Sequence, residues 1–153
     1  MSTFTKRFLI VSLLIFLAII TFRYNFKVFY TDGGSMEPTI KDGQFVLVNH
    51  RYYLNESPQR FDVVIIYDTE DKEYLEKRLV GLPGENLEIK SGAFYINGVE
   101  LNDPYNNIPK INIFNYGPIK IPKNTYFYIG DDRMDSVWGF VNKKYIKGRV
   151  LFH

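Results

Sequence analysis

Residues 8–22 read FLIVSLLIFLAIITF, fifteen positions without a charge, with Lys6 and Arg7 before them and Arg23 after. No other feature narrows the possible folds of this chain as much. As a helix the run rises about 22 Å, short of the roughly 30 Å hydrocarbon layer of a bilayer, so the flanking residues must snorkel and the aromatic Tyr24 and Phe26 must complete a span. A cleavable leader would end on small residues, yet Thr21-Phe22-Arg23-Tyr24-Asn25-Phe26 follows. A core helix would carry an amphipathic stripe, and every face of this one is apolar. The run therefore predicts one transmembrane helix in an N-terminal anchor, residues 1–28. Lys6 and Arg7 on one side and Arg23 and Lys27 on the other leave its orientation unassigned by charge bias.

Residues 29–153 read as a single β-domain. At 153 residues the chain accommodates one domain with a core, and its 12 Tyr and 13 Phe favour pleated surfaces. Strand-length stretches rich in β-branched and aromatic residues fall at 44–48, 61–67, 74–80, 87–90, 93–96, 125–129 and 148–152. Ser91-Gly92 and Asn97-Gly98 are hairpin-turn pairs that predict a local meander. Residues 102–123 show no period and read as an irregular insertion. A formal charge of +2 disfavours nucleic acid as a partner, and the lack of Cys removes thiolate catalysis, disulfides and zinc–thiolate sites.

Chemistry can be sought at Gly33-Gly34-Ser35, where two glycines let the backbone turn and leave a hydroxyl unshielded. Alone, such a segment is most often a plain turn. A nucleophilic serine needs a base, and neither His50 nor His153 has an aspartate arrangement marking it as a triad partner. Lys77 remains. In Tyr74-Leu75-Glu76-Lys77-Arg78-Leu79-Val80, strand alternation puts Lys77 on the face of Leu75 and Leu79. Burial there would lower the amine's pKa and make it a base, although by alternation alone a lysine snorkelling from a strand edge is the commoner reading.

Four segments in order, Ser35-Met36-Glu37-Pro38-Thr39, Arg60-Phe61-Asp62-Val63-Val64, Lys77-Arg78-Leu79-Val80-Gly81-Leu82-Pro83-Gly84-Glu85 and Gly130-Asp131-Asp132-Arg133, resemble the signature boxes of bacterial type I signal peptidases. The resemblance spans nearly the whole chain. It implies a mainly β signal-peptidase-like domain of antiparallel sheets behind one membrane helix, with Ser35 as nucleophile and Lys77 as general base. It further implies an oxyanion hole using the backbone N–H of Ser35, with Gly33 where some members carry a hydroxyl and Gly34 beside it. Arg78 and Asp131 would form a bracing pair and Ser136 a supporting hydroxyl. Met36, Pro38, Asp62, Val63 and Val64 would line the path of an extended substrate. No metal or cofactor is implied. The partners it implies are signal-peptide-bearing precursors and the lipid bilayer, and the implied location is the cell membrane, single-pass, with the catalytic domain on the extracytoplasmic face.

The last box departs from the family pattern. Gly130-Asp131-Asp132-Arg133-Met134-Asp135-Ser136-Val137-Trp138-Gly139-Phe140 is several residues short, so Ser136 matches a lysine-orienting serine counted from Gly130 and a later serine counted back from Trp138. A second arginine is absent, Asp132 stands for asparagine, Phe61 for glycine and Glu85 for aspartate. The shortened box motivates an alternative, a weak or inactive paralogue that binds export substrates or partner peptidases without cutting. A third reading is a relative that cleaves one dedicated partner or itself.

Overall fold

A computed structural model describes residues 2–105 and 115–152. Its first element is helix α1, Thr3–Asn25, 23 residues long. The helix extends the apolar run at both ends, so it rises about 34 Å and closes the shortfall calculated from residues 8–22 alone. The Ser2 side chain caps it by accepting from the Thr5 N–H at 3.2 Å. None of its residues is buried and its mean hydropathy is 2.1, so by length and composition it can cross a membrane.

Strand β1 (Phe26–Tyr30) follows without a linker, so the sheet begins before the 28/29 boundary drawn from sequence. The other strands are β2 (Phe45–Asn49), β3 (Val63–Tyr67), β4 (Tyr74–Gly81), β5 (Asn86–Lys90), β6 (Ala93–Ile96), β7 (Val99–Glu100), β8 (Tyr116–Lys120), β9 (Thr125–Ile129), β10 (Trp138–Asn142) and β11 (Ile146–Phe152). Among the described residues they form a seven-stranded sheet, β1-β2-β11-β3-β4-β9-β10, and a four-stranded sheet, β7-β6-β5-β8. Each pairing is antiparallel. The expected class, mainly antiparallel β behind one apolar helix, is the observed one.

The expected meander is β5-β6-β7, turned at Ser91 (φ 49°) and Gly92 (φ 78°) and again at Asn97 (φ 53°) and Gly98 (φ 83°). Paired positive φ values match the twist of a tight hairpin. Within 102–123, expected to be irregular, residues 116–120 form β8, while residues 106–114 lie outside the described residues. Only Tyr116 of β8 is even half-buried, and Gly117-Pro118 interrupts it, so no alternation of apolar residues announces the strand.

Strand β3 is paired on both edges and packs on both faces, Val63 and Ile65 with Met36, Ile40, Val46 and Val48, and Val64 and Ile66 with Tyr53, Leu79 and Tyr126. A third cluster, with Val80, Leu87, Phe94, Ile121 and Phe127, joins the small sheet to the large one.

Candidate active site

Residues 31–44 connect β1 to β2 and carry Ser35 over the core. Thr31 N–H donates to Gln44 O at 2.9 Å, closing the base of this loop. Met36, 2% exposed, and Ile40, 1% exposed, pin its middle into the sheet. Gly33 takes φ +103°, a conformation that glycine adopts readily, and its N–H donates to Asp42 Oδ1 at 2.8 Å. Ser35, next to the buried Met36, is thereby held half-exposed on a turn whose direction is set from below. Its carbonyl accepts from the Asp132 N–H at 3.0 Å, while its own N–H has no acceptor among the described residues. Gly130 packs so closely that a Cβ there would collide with the Ser35 carbonyl oxygen and the Ser136 hydroxyl.

Lys77 approaches from β4, opposite Val64 in the ladder and between Leu75 and Leu79, which both join the cluster around Tyr53. Its Nζ lies 2.8 Å from Ser35 Oγ and 2.9 Å from Glu76 O. The residue is 3% exposed. Burial pushes its amine below the usual lysine range, an effect partly opposed by the carboxylates of Glu76 and Glu73. Burial also raises Glu76, against its own backbone hydrogen bond and the Lys77 charge. A hydroxyl and an amine held at hydrogen-bonding distance, with the amine biased toward neutrality, can transfer a proton between them.

Beside this pair Arg78 is clamped from three sides. Its Nε donates to Asp131 Oδ1 at 2.7 Å and Nη2 to Asp131 Oδ2 at 2.6 Å, with side chains 3% and 1% exposed. Nη1 donates to Phe61 O at 2.7 Å, and the Tyr105 ring lies 3.4 Å from the guanidinium carbon. Arg133 continues the network, donating to Gly130 O and, at 2.8 Å, to Asp103 Oδ2. Phe61 takes φ 70°, a left-handed conformation that glycine adopts more readily than any residue with a side chain. Glu85 accepts from Leu82 N–H at 2.8 Å and pairs with Arg60 at 2.5 Å, closing the Gly-Leu-Pro-Gly turn.

Ser136 Oγ accepts from Gly130 N–H at 2.8 Å and donates to Val137 O at 3.0 Å. Among the described residues no bond joins it to Lys77, so its contact with the pair runs through Gly130. Asp132 Oδ1 accepts from Met134 N–H at 3.1 Å and Asp135 N–H at 3.2 Å, an Asx turn.

None of the residues expected along the substrate path lines the cleft at Ser35 and Lys77. Met36, Val63 and Val64 are core residues, and Asp62 is buried, accepting from Tyr53 Oη at 2.8 Å and facing Arg149 Nε at 3.0 Å. Pro38 is exposed, and it is not among the residues that line the cleft at Ser35. The physical reason is that β3 has no free edge. The cleft over Ser35 and Lys77, about 460 Å³, is lined instead by Phe29, Tyr30, Asp32, residues 73–76 and Val137. Strand β9 pairs with β4 only from Arg78 onward, so the β9-side edge of residues 74–77 meets no strand among the described residues. In the sequence these lining residues carry no mark of their own beyond position, residues 73–76 adjoining Lys77 and residues 29–32 preceding Ser35.

The sequence profile of the family described as "Signal peptidase, peptidase S26" matches residues 2–153. Signal peptidase I P of Bacillus subtilis subsp. natto is 34% identical over 131 residues, covering 80% of this chain and 70% of that protein. Signal peptidase I of Bacillus amyloliquefaciens is 36% identical over 129 residues, covering 79% and 67%. The crystal structure of a signal peptidase I from Enterococcus faecalis V583 superposes with a TM-score of 0.54 at 31% identity, covering 63% of this chain and 97% of that one. The profile match across the whole chain, together with relatives above 30% identity, makes this chain a member of the peptidase S26 signal peptidases, a family of serine hydrolases.

Proposed function

We propose that this chain is a membrane-anchored endopeptidase that removes signal peptides from exported precursors through a Ser35/Lys77 dyad. The observation that carries the reading is the 2.8 Å separation between Lys77 Nζ and Ser35 Oγ, with the amine buried. Neutral Lys77 takes the Ser35 proton as Oγ attacks the scissile carbonyl, and the resulting ammonium then protonates the leaving amine of the mature chain. A water deprotonated by Lys77 releases the acyl group from Ser35. The unpaired Ser35 N–H is a donor for the oxyanion, and Gly33 contributes no hydroxyl. The free stretch of β4 offers backbone groups to an extended substrate laid between it and Phe29–Asp32 of the facing segment, in the manner of strand addition. The Arg78–Asp131 pair and Ser136 brace Lys77 and Gly130 from behind.

In this reading α1 is the anchor and the β-domain works on the extracytoplasmic face, where precursors emerge beside the bilayer. The functional division falls at the end of α1, near the expected 1–28 and 29–153. The test is cleavage of a signal-peptide-bearing precursor by the purified full chain. Wild type should release the mature protein, and Ser35→Ala and Lys77→Ala should not. Cleavage surviving either substitution refutes the dyad.

A further inference from the structure

A small cavity that the proposed reaction does not use lies beside the first residues of β11. It measures about 260 Å³ and is lined by His50, Tyr53, Lys143, Lys144, Ile146 and Lys147, among others. Local structure gathers its cations. The Asn142 side chain caps a single turn by accepting from Lys144 N–H at 3.2 Å, presenting Lys143 and Lys144, and the chain then enters β11 with Lys147. The cavity lies where the chain leaves α1. His50 N–H donates to the carbonyl of Asn25, the last residue of α1, at 3.1 Å, and the Arg51 guanidinium sits 4.2 Å from the centre of the Tyr24 ring.

The charge in this cavity is unbalanced. Lys143 Nζ donates to Glu56 O at 3.2 Å and Lys147 Nζ to Lys144 O at 3.2 Å, both neutral carbonyls. Among the described residues no carboxylate comes within ion-pair distance of these three ammonium groups. The acids of the β3–β4 turn, Asp68 and Glu70, line a different cavity with Tyr128. In addition His50 Nε2 is buried with no hydrogen-bond partner, and buried polar atoms in native proteins are almost always satisfied. An anion with several oxygens would accept from the lysines and engage the imidazole nitrogen. The volume falls just below the roughly 300–1,000 Å³ of pockets for drug-sized ligands, so the occupant is small.

We propose that this cavity binds a phosphate-bearing anion, carried by a phospholipid headgroup or free in solution. The lipid source rests on α1 spanning a bilayer, whereas the site itself does not. The test uses the full chain in non-ionic maltoside micelles, titrated separately with dihexanoyl phosphatidylglycerol, dihexanoyl phosphatidylcholine and inorganic phosphate. The readout is the 15N imidazole resonance of His50, isolated from that of the only other histidine by His153→Gln. The anionic lipid should move the His50 signal saturably and phosphatidylcholine should not. A Lys143→Ala/Lys147→Ala variant that still cleaves precursor should bind about tenfold or more weakly, as expected for loss of two cations. Saturation by both the anionic lipid and inorganic phosphate identifies phosphate itself as the ligand, and saturation by the lipid alone identifies a headgroup. The proposal is overturned if neither anion moves His50, if phosphatidylcholine binds as well as phosphatidylglycerol, or if the double variant binds unchanged.

Discussion

Replacing Asp131 by asparagine keeps the shape of the side chain and removes the charge that neutralises Arg78. Two bonds of 2.7 and 2.6 Å join these residues, and their side chains are 3% and 1% exposed, so solvent cannot replace the lost partner. Asparagine can still accept one bond, but its NH₂ would face a guanidinium N–H, donor against donor. Arg133, 3.7 Å from Asp131 Oδ1, loses its counter-charge on that side as well. Breaking a buried pair by removing one partner costs about 3–5 kcal/mol, which for a domain of this size, at about 3–5 °C per kcal/mol, lowers Tm by roughly 9–25 °C. The assay is thermal unfolding of wild type and Asp131→Asn in the same micelles, followed by circular dichroism. An Arg78→Met/Asp131→Leu double variant should recover part of the loss, because it leaves no unpaired charge buried. A Tm within about 3 °C of wild type for Asp131→Asn would refute the argument that this pair is desolvated and structurally required.

Three further outcomes follow from the same geometry. Lys77 is depressed in the folded protein below its ordinary 10.5, so the unfolded chain binds more protons and stability rises as pH climbs through the interval between the two values. Lys77→Met should therefore raise Tm at neutral pH, by a margin that shrinks as pH climbs through that interval and levels off above about pH 10.5, and a variant less stable than wild type at pH 7 would contradict this. The Glu76 carboxylate holds the Lys77 pKa up, so Glu76→Gln should move the rising limb of kcat/KM to lower pH, and an unmoved or alkaline-shifted limb would count against the coupling. At Phe61, with φ 70°, the usual order of alanine and glycine should invert, with Phe61→Gly more stable than Phe61→Ala by about 1 kcal/mol in denaturant unfolding.

What the sequence made legible and what it hid divide along the range of the interactions involved. The anchor was legible because hydropathy is a property of contiguous residues, although the helical ends, Thr3–Arg7 and Arg23–Asn25, were not, since capping by Ser2 and the turn into β1 extend the helix beyond its apolar part. Ser35 and Lys77 were marked by boxes whose order resembles the family, and neither alternation nor the glycine pair would have singled them out alone. The burial of Val63 and Val64 was not legible, because both look like a strand face, and only the sheet order reveals that β3 is covered on both edges while β4 is left open where β9 stops. The pairing of Ser136 with Gly130 depended on a fold-back across six residues whose length alone was ambiguous.

The proposed reaction requires Lys77 to be an amine poised to be neutral beside Ser35. A 15N titration of its Nζ in the full chain, assigned by the loss of the signal in Lys77→Met, measures this directly. Its pKa should lie clearly below 10.5 and coincide with the rising limb of kcat/KM on a precursor. An Nζ that titrates at the ordinary lysine value, or a rate profile indifferent to its titration, would contradict it.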